Sequence, residues 1–471
     1  MAESNGATAR LGAFVAGCTT GVIPRGVAEA AAIRLLDAIG LAIVARDERT
    51  FRAMRALVAP LAQGPAVARI WTDGTPASVS EAVTANAIAV HAQFHDDCDM
   101  ASWTHPGSLI VPAAVGAGEA TKASLDRVLR AVAAGYATIA WLGAKERVAR
   151  ALIERGIRTS PTLGTIAAAA ASAVALGLDE TQATHAIGMA TSITGGVLEP
   201  VRAGSDEWRV QNAHAARGGL LAAQLAQRGV LGAAAGLEGP KGFARSLAGL
   251  ADTPLEWREP PRLEAIFEAW AKPWATLGDN VAAVAAARLL YEQKVNIAGV
   301  RRIGVRIWRH FAEYPGTSYR GPYERTTQAL ASTAFAVAAM LTYGRLDYAL
   351  SLDHRDDPRI LRLVERITVE PEADGTPYDA TVEIELADGS TVRRTARESP
   401  RTLLFHDRKT AVDVLDTRLS QAGCSQGAGP AVAAAVFEAV DQGADVGIGA
   451  MLDRLHLGDV ARAAEPNKKP R

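Results

Sequence analysis

The feature that most limits the fold is a polar knot between two apolar helical patterns. It runs from His91 to Glu119 and reads HAQFHDDCDMASWTHPGSLIVPAAVGAGE. It holds three histidines, His91, His95 and His105, and three aspartates, Asp96, Asp97 and Asp99. So many titratable side chains between buried helices are costly unless they are paired, hydrated or engaged in chemistry. Any fold of this chain has to house the knot without leaving it dry and unpaired.

The flanks are helical in pattern. Ile33, Leu36, Ile39 and Ile43 recur at helical spacing through Arg25–Arg46. Val67–Thr72 is a short β-like run ended by Asp73-Gly74. Thr75-Pro76 reads as an N-cap and first-turn proline of a helix running through Ala82, Ala85 and Ala89 into His91. After the knot, Pro112 is expected to open a helix ending near Glu119, and Ser124 to about Glu154 to form one long helix stopped by Gly156. Thr162–Leu176 (TLGTIAAAAASAVAL) is rich in small residues that let neighbours approach, which places it centrally. Asp179 and Gln182 fit a capping box for Glu180–Ile193, and Gly229 closes a helix over Glu207–Gln227.

The pattern changes after Lys272-Pro273. Ile303, Val305 and Ile307 alternate as a strand does, as do Ile367 with Val369 and Val382, Ile384 with Leu386. Asp388-Gly389 between Thr381–Leu386 and Thr391–Thr395 is a hairpin signal. A helical pattern at Arg325–Tyr343 interleaves with the strands, and Ala411–Ala422, Pro430–Asp441 and Val446–Leu455 return to helix. The expected class is mainly α with an α+β lid: a helical domain over 1–270, an α+β domain over 275–400, and C-terminal helices over 401–460 packing back on the first. At 471 residues the chain exceeds one ordinary core, consistent with two domains.

Composition excludes some functions. The 51 Asp+Glu and 50 Lys+Arg nearly cancel, which argues against a broad nucleic-acid footprint. The three cysteines, Cys18, Cys98 and Cys424, are odd in number and widely spaced, as in a reducing cytoplasm. No CxxC or CxxH spacing suggests zinc. No signal pattern opens the chain, and no alanine-rich run is an uninterrupted strongly apolar span, so neither export nor a membrane is expected. The tail Ala463–Arg471 has the composition of a disordered end.

Two readings fit each candidate site residue. His105, before Pro106-Gly107, suits general acid–base work at neutral pH, or satisfies loop carbonyls. Asp96, Asp97 and Asp99 either form a solvated patch, orient the histidines, or bind a cation. Arg209, in the helix after Gly204-Ser205-Asp206, and Arg158, in the loop after Gly156, suit a carboxylate or phosphate, or pair with surface acids. Lys272 lies at the domain junction, where clefts form, yet a lone lysine is usually solvated. Trp103, Trp208, Trp274 and Phe335 read first as packing.

Together these stretches resemble the MmgE/PrpD family of 2-methylcitrate dehydratases, cis-aconitate decarboxylases and iminodisuccinate epimerases. The resemblance runs through Asn86, His91, Asp96-Asp97, His105-Pro106-Gly107 and Pro112-Ala113-Ala114. It continues in Gly164, Leu176-Gly177-Leu178, Leu198-Glu199, Gly204-Ser205-Asp206 with Arg209, Leu237-Glu238-Gly239, Gly242-Phe243 and Lys272-Pro273. It implies a large helical domain under a smaller α+β lid, a cleft between them, a homodimer, and no organic cofactor or metal. It also implies proton transfer beside a carboxylate, followed by loss of water, loss of carbon dioxide, or inversion.

The departures are specific. The family's acid before the Asp-Asp pair is Phe94 here, its following threonine is Cys98, and its loop histidine is Arg158. The lysine of its GSD-x-K-R pattern is Trp208, the histidine beyond Lys-Pro is missing, and its lid tyrosine aligns with Phe335. The resemblance therefore assigns catalysis to His105, Asp97, Asp96 and Lys272. It assigns substrate contact to His91, Phe94, Cys98, Arg158, Trp208, Arg209 and Phe335. The expected protein is a lyase or isomerase for a small carboxylated substrate, larger or less charged than a tricarboxylate. The competing expectation is a family member that has lost its chemistry and binds a small anion or acts as a scaffold.

Overall fold

A computed structural model describes residues 6–58, 67–424, 427–442 and 446–454. The tail from 455 onward, including the expected end of the last helix at Leu455, lies outside the described residues.

The helix Thr159–Leu176 is buried along its whole length. Helices Pro106–Thr121, Leu125–Gly143, Glu180–Ile193 and Glu207–Gln227 pack around it. Small residues make this possible: a Cβ on Gly219 would lie 2.5 Å from the Ala169 backbone nitrogen, and one on Gly164 would lie 2.5 Å from the Leu109 side chain. By length and composition this central helix could cross a membrane, but here the protein's own helices cover it. Arg25–Val44 completes the layer, and Arg408–Gln421 and Ala428–Gln442 pack back onto it.

The second part is built on a four-stranded sheet. Its order is Ile367–Glu372, Val300–Trp308, Ala380–Leu386, Thr391–Thr395; the first pair is parallel and the others antiparallel. Ile303, Val305 and Ile307 all point to one buried face, as their alternation requires. Helices Val281–Glu292 and Thr333–Tyr343 cover that face and pack on each other. The hairpin turns at Asp388-Gly389, with Gly389 at φ 84°. The architecture is thus a large helical region carrying a small α+β one. A separate cluster of Phe94, Trp208, Ala275, Leu277, Leu330 and Ala331 joins the two.

Four local expectations need correction. Pro76–Ser78 is a strand paired antiparallel with Val67–Arg69, not a helix start. Ser78 and Glu81 form the capping box instead, so the helix runs Val79–His91. The helix after the knot begins at Pro106, with His105 as N-cap, and Pro112 lies inside it. The long helix expected to Glu154 breaks after Gly143, where Ala144, Lys145 and Glu146 all have positive φ. The break lets the knot dock: Glu146 N–H donates to the Ala101 carbonyl at 2.8 Å, and a Cβ on Gly143 would lie 2.2 Å from that oxygen. The helix expected across Arg325–Tyr343 is two, Thr326–Ala331 and Thr333–Tyr343, parted at Ser332.

Candidate active site

The knot is shaped by its own polar groups. Past His91 the chain turns through Phe94, whose φ of 54° is unusual for a side chain of that size. Cys98 then exchanges backbone hydrogen bonds with Trp270, which ties the knot to the segment entering the sheet region. Asp99 closes the next turn by accepting from the Ser102 N–H and hydroxyl. The carboxylate of Asp97 accepts from the Gly107 N–H at 2.7 Å and from the Tyr136 hydroxyl at 2.5 Å. It thereby clamps the first turn of the helix that His105 caps; burial pushes its pKa up to about 6.

His105 is held in one tautomer. Its Nδ1 lies 2.9 Å from the Asp97 carbonyl, which can only accept, so Nδ1 carries the proton. The Cys98 sulfur sits 3.5 Å from the same nitrogen, and the His105 N–H donates to Ser160 Oγ. Nε2 is left with a free lone pair. Burial drives the imidazole pKa well below its ordinary value, so the ring is a neutral base.

His91 is a connector rather than a base. Its Nδ1 lies 2.7 Å from Asp96 Oδ2, and its Nε2 accepts from Arg158 Nη2 at 2.8 Å. A guanidinium only donates, so Nδ1–H must point to the carboxylate. Burial, then Arg158, depresses the His91 pKa strongly. Arg158 also donates to the Trp208 carbonyl, Gln211 and Asn212, all neutral acceptors, and burial lowers its pKa to about 10. The other Asp96 oxygen, Oδ1, makes no hydrogen bond; it lies 3.9 Å from His105 Nδ1 and 4.0 Å from Lys272 Nζ.

Phe94, Cys98, His105 and Arg158 border a cavity of about 30 Å³ between the two regions. The helical side also supplies Thr104, Ser160 and Val201, and the sheet side supplies Leu277, Asp279, Phe311 and Tyr314. That volume holds a water or two, so a substrate needs the two walls to part. A wider cleft of about 850 Å³ lies on the Lys272 side, lined also by His95, His406 and Tyr348. Size favours that cleft, but His105 and Arg158 border the smaller cavity.

Several expected residues do not border this cavity. Lys272 is buried beside it and donates to the Thr276 carbonyl at 3.0 Å. Asp96, Asp97 and His91 stand behind the wall. Trp208 is fully buried, stacked on Phe94 with centroids 3.8 Å apart, so Phe94 screens it from any ligand. Arg209 is occupied by the Ala92 carbonyl, Asp206 and Glu48. Phe335 sits in the sheet-region core against Tyr323.

The tyrosine in the wall is Tyr314, and opposite the knot is Asp279, whose pKa burial pushes up to about 7. Both were overlooked in the sequence. Asp279 was legible only as a Gly-Asp-Asn opening the helix after Lys272-Pro273, and Tyr314 lies in an irregular loop without a motif. Among the described residues no group of three or more His, Cys, Asp or Glu is arranged to hold a metal ion.

Comparison with known proteins agrees with this architecture. The MmgE/PrpD N-terminal domain matches residues 9–256 and the MmgE/PrpD C-terminal domain residues 280–409. The cis-aconitate decarboxylase-like protein oryM of Aspergillus oryzae is 29% identical over 345 residues, 65% of this chain and 68% of its own. A cis-aconitate decarboxylase of Aspergillus terreus is 26% identical over 439 residues, 84% of this chain and 86% of its own. With both domains matched in order, the chain belongs to the MmgE/PrpD family.

Proposed function

We propose that this protein is a lyase that acts by proton transfer beside a substrate carboxylate. Membership of the family and the decarboxylase names of its relatives support a lyase. The single observation that carries the mechanism is that His105 borders the cavity with Nδ1 held by the Asp97 carbonyl, which leaves Nε2 as its basic atom.

Arg158 holds the substrate carboxylate and disperses the charge that grows on it as the neighbouring carbon loses its proton. His105 Nε2 takes that proton. The C–H electron pair becomes the new C=C bond, the bond to the leaving group on the next carbon breaks, and the leaving group departs with its pair and a proton from Asp279. His105 then returns its proton to solvent and Asp279 regains one when the walls part. The step as written uses only these side chains. Asp97, Asp96 and His91 act as positioning residues: Asp97 sets the His105 ring, and Asp96 steadies Arg158 through His91.

The test follows deuterium incorporation into candidate carboxylates in D₂O by NMR. Removing a positioned base lowers rates by about 10²–10⁴, so His105→Gln is expected to lose exchange and turnover together. Equal exchange by wild type and His105→Gln would refute the assignment. Stabilisation by small acids with no exchange by either protein would favour a binding protein instead.

A further inference from the structure

The charges around the site set what it accepts. Behind the wall each cation has an acid of its own: Arg34 lies 3.9 Å from Asp97, Lys272 4.0 Å from Asp96, and Arg209 3.0 Å from Asp206. Arg150, 5.9 Å from the Trp103 ring centroid, is paired with Glu146 at 2.5 Å. Arg158 is the exception. It is 2% exposed, it borders the cavity, and all its hydrogen bonds go to neutral acceptors. No carboxylate touches this guanidinium, and Asp96 reaches it only through His91, so its charge is left partly unmatched at the cavity. The rest of the wall is mostly apolar, with Phe94, Met100, Trp103, Val201, Leu277 and Phe311. Its polar groups besides His105 and Cys98 are the neutral hydroxyls of Thr104, Ser160 and Tyr314 and one acid, Asp279, so Arg158 is its one lysine or arginine.

We propose that the substrate carries a single carboxylate, bound to Arg158, on an apolar body, and that di- and tricarboxylates are excluded. This rests on the lyase reading of the same site and narrows it. A second carboxylate would meet apolar side chains, neutral hydroxyls that cannot balance its charge, or Asp279, a like charge when ionised, and no second lysine or arginine. A substrate anchored by its only carboxylate also keeps that group through the reaction, which favours elimination over decarboxylation.

Titration calorimetry on the full-length protein with pentanoate, pentanamide, glutarate and propane-1,2,3-tricarboxylate tests this at neutral pH. Pentanoate is expected to bind at least tenfold more tightly than each of the other three. A tighter diacid or triacid, equal binding of pentanamide, or no binding of pentanoate at millimolar concentration would overturn the proposal. The wild-type comparison decides without any variant. Arg158→Gln is further expected to erase the preference for pentanoate over pentanamide. Binding of pentanoate with unchanged exchange in His105→Gln would sink the catalytic reading and leave the ligand class standing.

Discussion

Replacing His91 tests the arrangement behind the site most directly. His91 gives Asp96 its one hydrogen bond, because Oδ1 has none, and it gives Arg158 one of four acceptors. His91→Leu leaves a buried carboxylate with no hydrogen bond, 3.9 Å from His105 Nδ1 and 4.0 Å from Lys272 Nζ. Removing one partner of a buried charge costs about 3–5 kcal/mol. His91→Gln can donate to Asp96 and accept from Arg158, so it should recover most of that loss. The pH dependence has a definite sign. The native His91 pKa is depressed below the ordinary 6.5, so the folded ring stays neutral while the unfolded one takes up a proton below that value. Its contribution is intact above pH 6.5 and is lost as pH falls, at about 1.4 kcal/mol per unit. Between pH 6.5 and 5, wild type should lose about 2 kcal/mol relative to His91→Gln. Urea denaturation at a series of pH values measures this. Parallel stability curves for the two proteins would mean that native His91 is protonated, and the assigned tautomer and relay would fail.

Other outcomes follow from single contacts. Asp279, with its pKa near 7, donates its proton in the proposed step, so kcat/KM should fall as pH rises through about 7; Asp279→Asn should abolish that limb and cut the rate by about 10²–10⁴. A limb that persists in the variant belongs to another group. Tyr136→Phe removes one donor from the buried Asp97 carboxylate and should cost about 1–3 kcal/mol in denaturation. Gly219→Val drives side-chain atoms into the backbone of Thr165 and Ala169, 2.5–2.6 Å from the new Cβ, and should cost about 1–3 kcal/mol or more; a loss under about 0.5 kcal/mol would show that these helices can separate freely.

What the sequence disclosed of the fold depended on the range of the forces involved. The capping box at Asp179 and Gln182 and the turn at Asp388-Gly389 are set by neighbours within a few residues, and both were readable. The helix ends around the knot were not, because distant groups decide them. The carbonyl of Ala101 reaches across to Glu146 and favours a break where the local pattern runs on. Asp97 caps a turn ten residues later, starting the helix six residues before Pro112. Likewise His105 and Arg158 were legible as residue types in a telling place, whereas Asp279 reaches the cavity only through the packing of the two regions.

The departures from the family pattern also change meaning once positions become places. Phe94 and Trp208 stand where the family carries an acid and a lysine, and on the sequence these look like two independent losses. Here the two side chains are stacked, 3.8 Å between centroids and 19° between planes. Changing one ring alone therefore leaves the other without its stacking partner. A lone acid at 94 would lie against the indole with Lys272 nearby, 5.4 Å from the present ring centroid, whereas a lone lysine at 208 would be buried against a phenyl ring beside Arg209, 4.0 Å from the present indole. The Trp208 carbonyl in turn accepts from Arg158, the cation of the cavity wall. Phe94 and Trp208 thus form one packed pair, and Arg158 is tied to it through the Trp208 carbonyl. Restoring only one member, as in Trp208→Lys, should weaken the fold more than restoring Phe94→Glu and Trp208→Lys together, a non-additivity expected of residues in direct contact.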